Sequence, residues 1–345
     1  MANILILGAG SMGTAFSFPC SDNKHSVYVV GTHLENKFIN KINSRRLHPV
    51  LKCKVPKKVK FFKENKFNQI AKKKIDLLVI AVSSKGIEWA SKKLSNLAHK
   101  NIPILILTKG LSINNNKYEV LAHKMSRLLK ISGFKKPNIS AIGGPCLAKG
   151  LVNRVHTSVV VANKNIKNAK KISKLISTNY YHVFTSTDLI GVEVCSAIKN
   201  IFALLMGAAE GICSSKLSKK IKKNHYLNSS AALLNQSINE MIIFTKKLNG
   251  KRETVMGLAG VGDLYVSDQG GRNSQMGKYL GQGIPFKRAK KIKMPNDTIE
   301  GADLIFEIGK KVKKEFNSKN LPLLTCIIDT VLYEKRLNIN WRSFF

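Results

Sequence analysis

Acidic residues are scarce in this sequence: 20 Asp and Glu stand against 58 Lys and Arg, a formal net charge of +38. Arginine is scarce too, at nine residues, so lysine carries nearly all of the positive charge. Base readout and bidentate phosphate recognition favour Arg, and the lysines are scattered over the whole length. The charge therefore reads as a compositional bias of the surface and argues against a nucleic-acid partner, while an anionic small substrate stays compatible. The six cysteines, Cys20, Cys53, Cys146, Cys195, Cys213 and Cys326, are widely spaced and include no Cys-x-x-Cys pair, which fits a reduced, cytoplasmic setting; six in 345 residues is too few for a disulfide miniprotein. The eight His never fall at H-x-x-x-H or H-x-x-E-H spacing, so no metal site is expected. The most apolar stretch, 201–209, is short of the roughly 20 residues needed to span a bilayer. The apolar N-terminus lacks a basic leader and is interrupted by Gly8, Gly10 and Gly13; neither membrane insertion nor a signal peptide is expected.

What is present points to a folded α/β chain. With 345 residues, 44% of them hydrophobic, two domains with substantial cores are the natural expectation. Short, nearly continuous β-branched runs at 4–7, 27–30, 77–82, 104–107, 139–142, 158–161 and 181–184, most of them separated by helix-length segments, predict a parallel sheet buried on both faces. Beyond about residue 187 apolar residues recur at helical spacing, in 190–212, 230–248, 302–314 and near the C-terminus. This predicts a dinucleotide-binding domain over 1–187 and a helical substrate domain over 188–345. The Lys-rich tracts 54–74 and 216–223 read as exposed loops or solvated helix faces.

Three sequence features carry chemistry. Directly after the first strand, Gly8-Ala9-Gly10-Ser11-Met12-Gly13 is a G-x-G-x-x-G motif. Gly8 permits a tight turn, Gly10 lets the backbone approach a pyrophosphate, and Gly13 lets the next helix pack close, with helix N–H groups facing the anion. Pro19 should kink that helix or end it early. At the end of the second strand, where NAD-selective sites carry an acid, stand Gly31, Thr32 and His33, with Glu35 the first acid beyond them. With neither the carboxylate that repels a 2′-phosphate nor an Arg to bind one, NAD and NADP both remain open, with a lean to NADP.

The second feature is the apolar helix predicted over 192–211. Its central stretch holds Lys199 as the only ionisable cation. A buried ammonium needs a partner, a shifted pKa or an anionic ligand, which makes Lys199 a candidate general acid/base. Ser196, Lys199, Ala203 and Gly207 form a stripe of small residues around the ammonium, leaving room for a cofactor or substrate. The third feature runs from Gly257-Leu258-Ala259-Gly260-Val261-Gly262-Asp263-Leu264 through Ser267 to Gly270-Gly271-Arg272-Asn273. Asp263 is the natural ionic partner of Lys199, and Arg272 with Asn273 could hold a phosphate.

Taken in order, these elements, with Thr108-Lys109-Gly110, Gly144-Pro145 and Ile299-Glu300-Gly301, resemble the NAD(P)-dependent glycerol-3-phosphate dehydrogenases over most of the chain. The resemblance implies an N-terminal Rossmann-like dinucleotide-binding domain plus an all-helical C-terminal domain. It also implies the interconversion of glycerol 3-phosphate and dihydroxyacetone phosphate, which supplies the glycerophospholipid backbone. Lys199 would exchange the proton of the C2 oxygen, with Lys109 a second catalytic-site lysine and Asp263 orienting Lys199. Substrate would be bound by Lys109, Lys199, Asn200, Ser267, Arg272 and Asn273. The cofactor would be held by Gly8, Gly10, Ser11, Met12, Gly13, Thr32, His33, Lys109, Gly144, Arg272 and Glu300. The partner implied is a small phosphorylated substrate; a homodimer stays open, and neither nucleic acid nor membrane insertion is expected. Three departures stand out: Ala81-Val82-Ser83-Ser84 where many members have Ala-Val-Pro-Ser, no acid after Gly144-Pro145, and no basic residue after the second strand. A dehydrogenase of another hydroxy acid or polyol phosphate, a non-catalytic NAD(P)H-sensing protein and a basic nucleic-acid-binding protein are the rival readings.

Overall fold

The computed structural model describes residues 1–97, 99–216 and 225–344. The chain divides into two compact units, Met1–Lys109 with Glu119–Glu193, and Gly110–Tyr118 with Val194–Phe345. The change of unit thus comes inside a helix, between Glu193 and Val194, and the segment Gly110–Tyr118 joins the second unit.

In the first unit, eight strands form one sheet: β1 (Asn3–Leu7), β2 (Ser26–Val30), β3 (Val59–Phe62), β4 (Leu77–Ile80), β5 (Ile104–Ile106), β6 (Ile139–Gly143), β7 (Thr157–Ala162) and β8 (Tyr181–Ser186). Their order is β8-β7-β6-β5-β4-β1-β2-β3, and β1 to β6 are all parallel. The run 3-2-1-4-5-6 is the doubly wound order, whose switch point lies between β1 and β4, where ligands bind outside the carboxyl ends of the strands. Ile4, Ile6, Val27, Val29, Leu77, Val79 and Leu105 fill the core against Phe16 of the first helix, whose ring meets Tyr181 edge-on.

Three expectations need correction here. The sheet is not wholly parallel, because β7 runs antiparallel to β6. The link between them contains only the five-residue helix Ala148–Val152, so the chain returns at the same end of the sheet without a crossover; an apolar run does not encode strand direction. The tract 54–74 is not simply an exposed loop or solvated helix. It supplies β3, paired with β2, with Val59 and Phe61 buried on either side of the exposed Lys60, and a short helix, Phe67–Ala71, burying Phe67 and Ile70. The second tract, 216–223, lies almost entirely outside the described residues. Of the two effects expected of Pro19, early termination does not occur: helix α1 (Ser11–Asp22) runs through Pro19 and continues to Asp22, since so near the helix end proline forfeits one bond without ending it.

The second unit is built mainly from helices: α3 (Leu189–Lys216, entered from the first unit), α4 (Leu227–Lys247), α5 (Asp263–Asp268), α6 (Arg272–Gly281), α7 (Glu300–Glu315) and α8 (Pro322–Leu332); α2 (Leu121–Ile131) belongs to the first unit. Phe244 of α4 stacks on Phe316 with centroids 5.3 Å apart. Helix Leu189–Ser214 is long and apolar enough to cross a membrane, and 94% of its apolar window is buried inside the protein. The apolar run 201–209 is thus only part of a helix of spanning length. Burial is what argues against a span, since this is the core helix of its unit.

Candidate active site

The glycine motif forms a turn at the switch point of the first unit. Gly8 has φ +108°, and a Cβ there would lie 2.5 Å from the carbonyl oxygen of Ala81, just beyond β4. A Cβ on Gly13 would lie 2.2 Å from the carbonyl oxygen of Gly8, so α1 starts in contact with the turn. Gly10 differs: its Cβ would meet only Glu35 Oε1, at 3.4 Å. Gly10 is also the N-cap of α1 and supplies no side-chain cap, which leaves the first-turn N–H groups around Ser11 and Met12 for an outside acceptor. These residues fit a dinucleotide pyrophosphate. Gly144, at φ +132° and with a virtual Cβ 3.0 Å from Val159 Cα, is explained by the turn into β7. Lys109 follows β5, where Thr108 Oγ1 donates to the Val82 carbonyl at 2.7 Å and ties two strand ends together.

The Ala9 peptide inside the turn is held from both sides. Thr14 Oγ1 donates to its carbonyl at 3.0 Å, and His48 Nε2 stands 3.4 Å from the same oxygen. Leu51 N donates to His48 Nδ1, so the proton sits on Nε2, and burial holds this imidazole below its ordinary pKa. On the other side, Ala9 N donates to Glu35 Oε2 at 3.0 Å, and that same oxygen accepts from Thr32 N at 2.8 Å. Thr32 therefore reaches the site through its backbone, while His33 is exposed. The sequence shows Glu35 only as the first acid beyond the strand, not as a partner of the glycine turn, and His48 not at all. The signal for Glu35 was Thr32-x-x-Glu35, a capping-box spacing; His48 had none.

In the second unit, Lys199 lies on α3, 5% exposed, and its Nζ donates to Asp263 Oδ1 at 2.7 Å and to Ser267 Oγ. Ser267 Oγ donates to the Asp263 carbonyl at 2.7 Å, so one turn of α5 presents a carboxylate and a hydroxyl to the ammonium. A second network adjoins it in sequence. Asn200 Nδ2 donates to Glu300 Oε2 at 3.2 Å, Asn273 Nδ2 donates to Asn200 Oδ1 at 3.1 Å, and Gly301 N donates to Asn273 Oδ1 at 2.9 Å. Arg272 pairs with Glu300 at 3.3 Å, both about half exposed. The second unit thus gathers Lys199, Asn200, Asp263, Ser267, Arg272, Asn273 and Glu300. Asn273, buried with both amide atoms engaged, ties α3, α6 and the start of α7 together.

The small-residue stripe on α3 requires correction. A Cβ on Gly207 would fall 1.9 Å from the Ser274 carbonyl oxygen, and one on Gly277 would fall 1.8 Å from the Leu204 carbonyl oxygen. Gly211 and Gly281 meet the facing backbones in the same way. At Gly207 the space is filled by α6, so the stripe serves helix packing there and not a ligand. Among the described residues no three His, Cys, Asp or Glu side chains come together as a metal site.

Comparison with known proteins settles the family. The family models for the N-terminus and the C-terminus of NAD-dependent glycerol-3-phosphate dehydrogenase match residues 3–169 and 188–339. The chain belongs to this family. It is 30% identical to the NADP(+)-dependent glycerol-3-phosphate dehydrogenase of Archaeoglobus fulgidus over 83% of this chain and 82% of that one. It is also 30% identical to the glycerol-3-phosphate dehydrogenase [NAD(P)+] of Francisella tularensis over 90% of this chain and 88% of that one. The fold is shared with the crystal structure of the Coxiella burnetii glycerol-3-phosphate dehydrogenase, at TM-score 0.81 and 23% identity over 99% of this chain and 97% of that one. It is shared too with the Plasmodium falciparum enzyme, at TM-score 0.83 and 19% identity over 100% and 95%.

Proposed function

We propose that the chain interconverts sn-glycerol 3-phosphate and dihydroxyacetone phosphate with NAD or NADP, acting in the cytoplasm to supply the glycerophospholipid backbone. The observation that carries this reading is the buried Lys199 held by Asp263 and Ser267 on a family-matched helix. The nicotinamide, when bound, supplies or accepts the hydride at the substrate's C2. In the reducing direction Lys199 gives a proton to the C2 oxygen, so that one hydride and one proton turn the ketone into the alcohol; the lysine then regains its proton from solvent. Asp263 fixes the direction of the Nζ, and the positive charge of Lys199 stabilises the developing alkoxide. Arg272 offers the guanidinium fork for the phosphate, while Asn273 holds Asn200 and Gly301 in place around it. Lys109, in the first unit, is the second lysine that the family resemblance assigns to catalysis. In the first unit, Gly8, Gly10, Ser11, Met12 and Gly13 would hold the pyrophosphate. The test is oxidation of NADH and NADPH driven by dihydroxyacetone phosphate, beside a panel of other phosphorylated ketones and 2-keto acids. Turnover confined to a different ketone would replace this substrate, and cofactor binding without any turnover would favour a sensor.

A further inference from the structure

The ribose discriminator that the end of β2 lacks in sequence is present in space. We infer that Glu35 performs this role and makes the site selective for NAD(H) over NADP(H), an inference that rests on the dinucleotide reading of the glycine turn. The Glu35 carboxylate comes from beyond the strand end, five residues after Val30, and folds back onto the turn. Its Oε2 accepts from Ala9 N at 3.0 Å and from Thr32 N at 2.8 Å, while its Oε1 is the only atom that a Cβ on Gly10 would meet. Two backbone donors from the two strand ends that frame the adenosine side of such a site therefore fix one carboxylate at the open face of the motif. Glu35 is partly exposed there, so its remaining lone pairs are available to hydroxyl donors.

A ribose 2′-hydroxyl can donate to this carboxylate, and a 2′-phosphate cannot. The phosphate would bring a dianion against an anion whose position the protein already fixes, and the strand end itself, Gly31, Thr32 and His33, offers no Arg or Lys to bind it. Most of the chain's +38 charge does not bear on this local conflict, because exposed lysines beyond a Debye length are screened. The lean towards NADP drawn from the absence of an acid is thereby reversed.

Glu35 also caps the short helical turn His33–Glu35 through Thr32 N, so the test must separate charge from capping. Glu35→Gln does so, since the amide oxygen can still accept from Thr32 N. Equilibrium titrations of NADH and NADPH, followed by cofactor fluorescence on the purified full chain, should give wild type roughly tenfold or greater preference for NADH, the scale of hydrogen bonds to charged groups. Glu35→Gln should tighten NADPH severalfold and weaken NADH, at unchanged thermal stability. Wild type that binds NADPH as tightly as NADH, or a Gln variant that shifts both cofactors alike, would overturn the inference. If neither cofactor binds, the dinucleotide reading fails as well. An NADH preference that depends on Glu35, without turnover of dihydroxyacetone phosphate, would uphold the selectivity and remove the proposed reaction alone.

Discussion

Replacing Lys199 by Met tests the site where its chemistry and its stability are joined. The sequence suggests that this change should keep the fold and only slow the reaction. The structure adds a cost, because the ammonium lies 2.7 Å from Asp263, and the two side chains are 7% and 3% exposed. Removing one partner of a pair this deeply buried strands the other charge, and costs about 3–5 kcal/mol. Lys199→Met should therefore lower stability by that amount in urea unfolding, and also lower kcat by roughly two or more orders of magnitude as general acid–base catalysis is lost. The double variant Lys199→Met/Asp263→Asn exchanges the stranded carboxylate for an amide of the same shape. It should recover about 2 kcal/mol or more of the loss, the coupling expected of contacting residues, while remaining as inactive as the single variant. Stability and activity thus move together in the first step and separate in the second. Two results would refute the reasoning: a single variant as stable as wild type, meaning the pair is not a buried ion pair in solution, or one that is folded and turns over normally, meaning Lys199 is not the proton donor.

Other expectations follow from particular contacts. Gly277→Ala would place a methyl 1.8 Å from the Leu204 carbonyl oxygen, forcing α3 and α6 apart at a cost of about 1–3 kcal/mol or more; Gly150→Ala, whose Cβ would meet only Val155 Cβ at 3.9 Å, should be neutral or stabilising by up to about 1 kcal/mol. Thermal melts of the two decide whether the close approach is real. Arg272→Lys loses the fork and should raise KM for dihydroxyacetone phosphate by about 1.5–3 kcal/mol, with no effect on the poor turnover of free dihydroxyacetone; equal impairment of both would assign Arg272 to the cofactor or the fold. Glu240, which accepts from Leu323 N and Leu324 N at the start of α8, has its carboxyl raised by burial from 4.5 to about 7. Its folded state favours the protonated form, so its contribution is complete below pH 4.5 and is lost as pH rises through 7. Stability should fall over that window, and Glu240→Gln should flatten the fall; identical pH profiles would count against it.

Much of this was legible in the sequence because the signals are local. β1, the glycine turn and α1 occupy consecutive residues, and Lys199 stands out as a lone cation in an apolar helix. What escaped reading depends on direction or distance. An apolar run looks the same in β7 whether the strand runs up or down. In β3 the alternating lysines masked Val59 and Phe61. The bonds from Asn200 to Asn273 and Glu300 join residues 73 and 100 positions apart, and nothing at either end announces its partner. Glu35 is the intermediate case: its capping spacing was readable, but that the same carboxylate also reaches Ala9 follows only from β1 and β2 lying side by side.

The small-residue stripe on α3 shows how one pattern supports two opposite meanings. Seen on one helix, Ala203 and Gly207 are an absence of side chains, which a ligand or another helix could fill equally well. The deciding information lies on the other helix. Gly207 and Gly211 on α3 face Gly277 and Gly281 on α6, both pairs at four-residue spacing, and such matched spacing lets two helix backbones touch. The consequence reaches the chemistry. Because α3 carries Lys199 and Asn200 and α6 begins at Arg272 and Asn273, backbone contact between these helices sets the distance between the two backbones from which these side chains project. A site placed on two rigid helices in direct contact needs little reorganisation when its ligand arrives. The glycines that leave no room for a ligand are thus what hold Lys199 and Asn200 in register with Arg272 and Asn273.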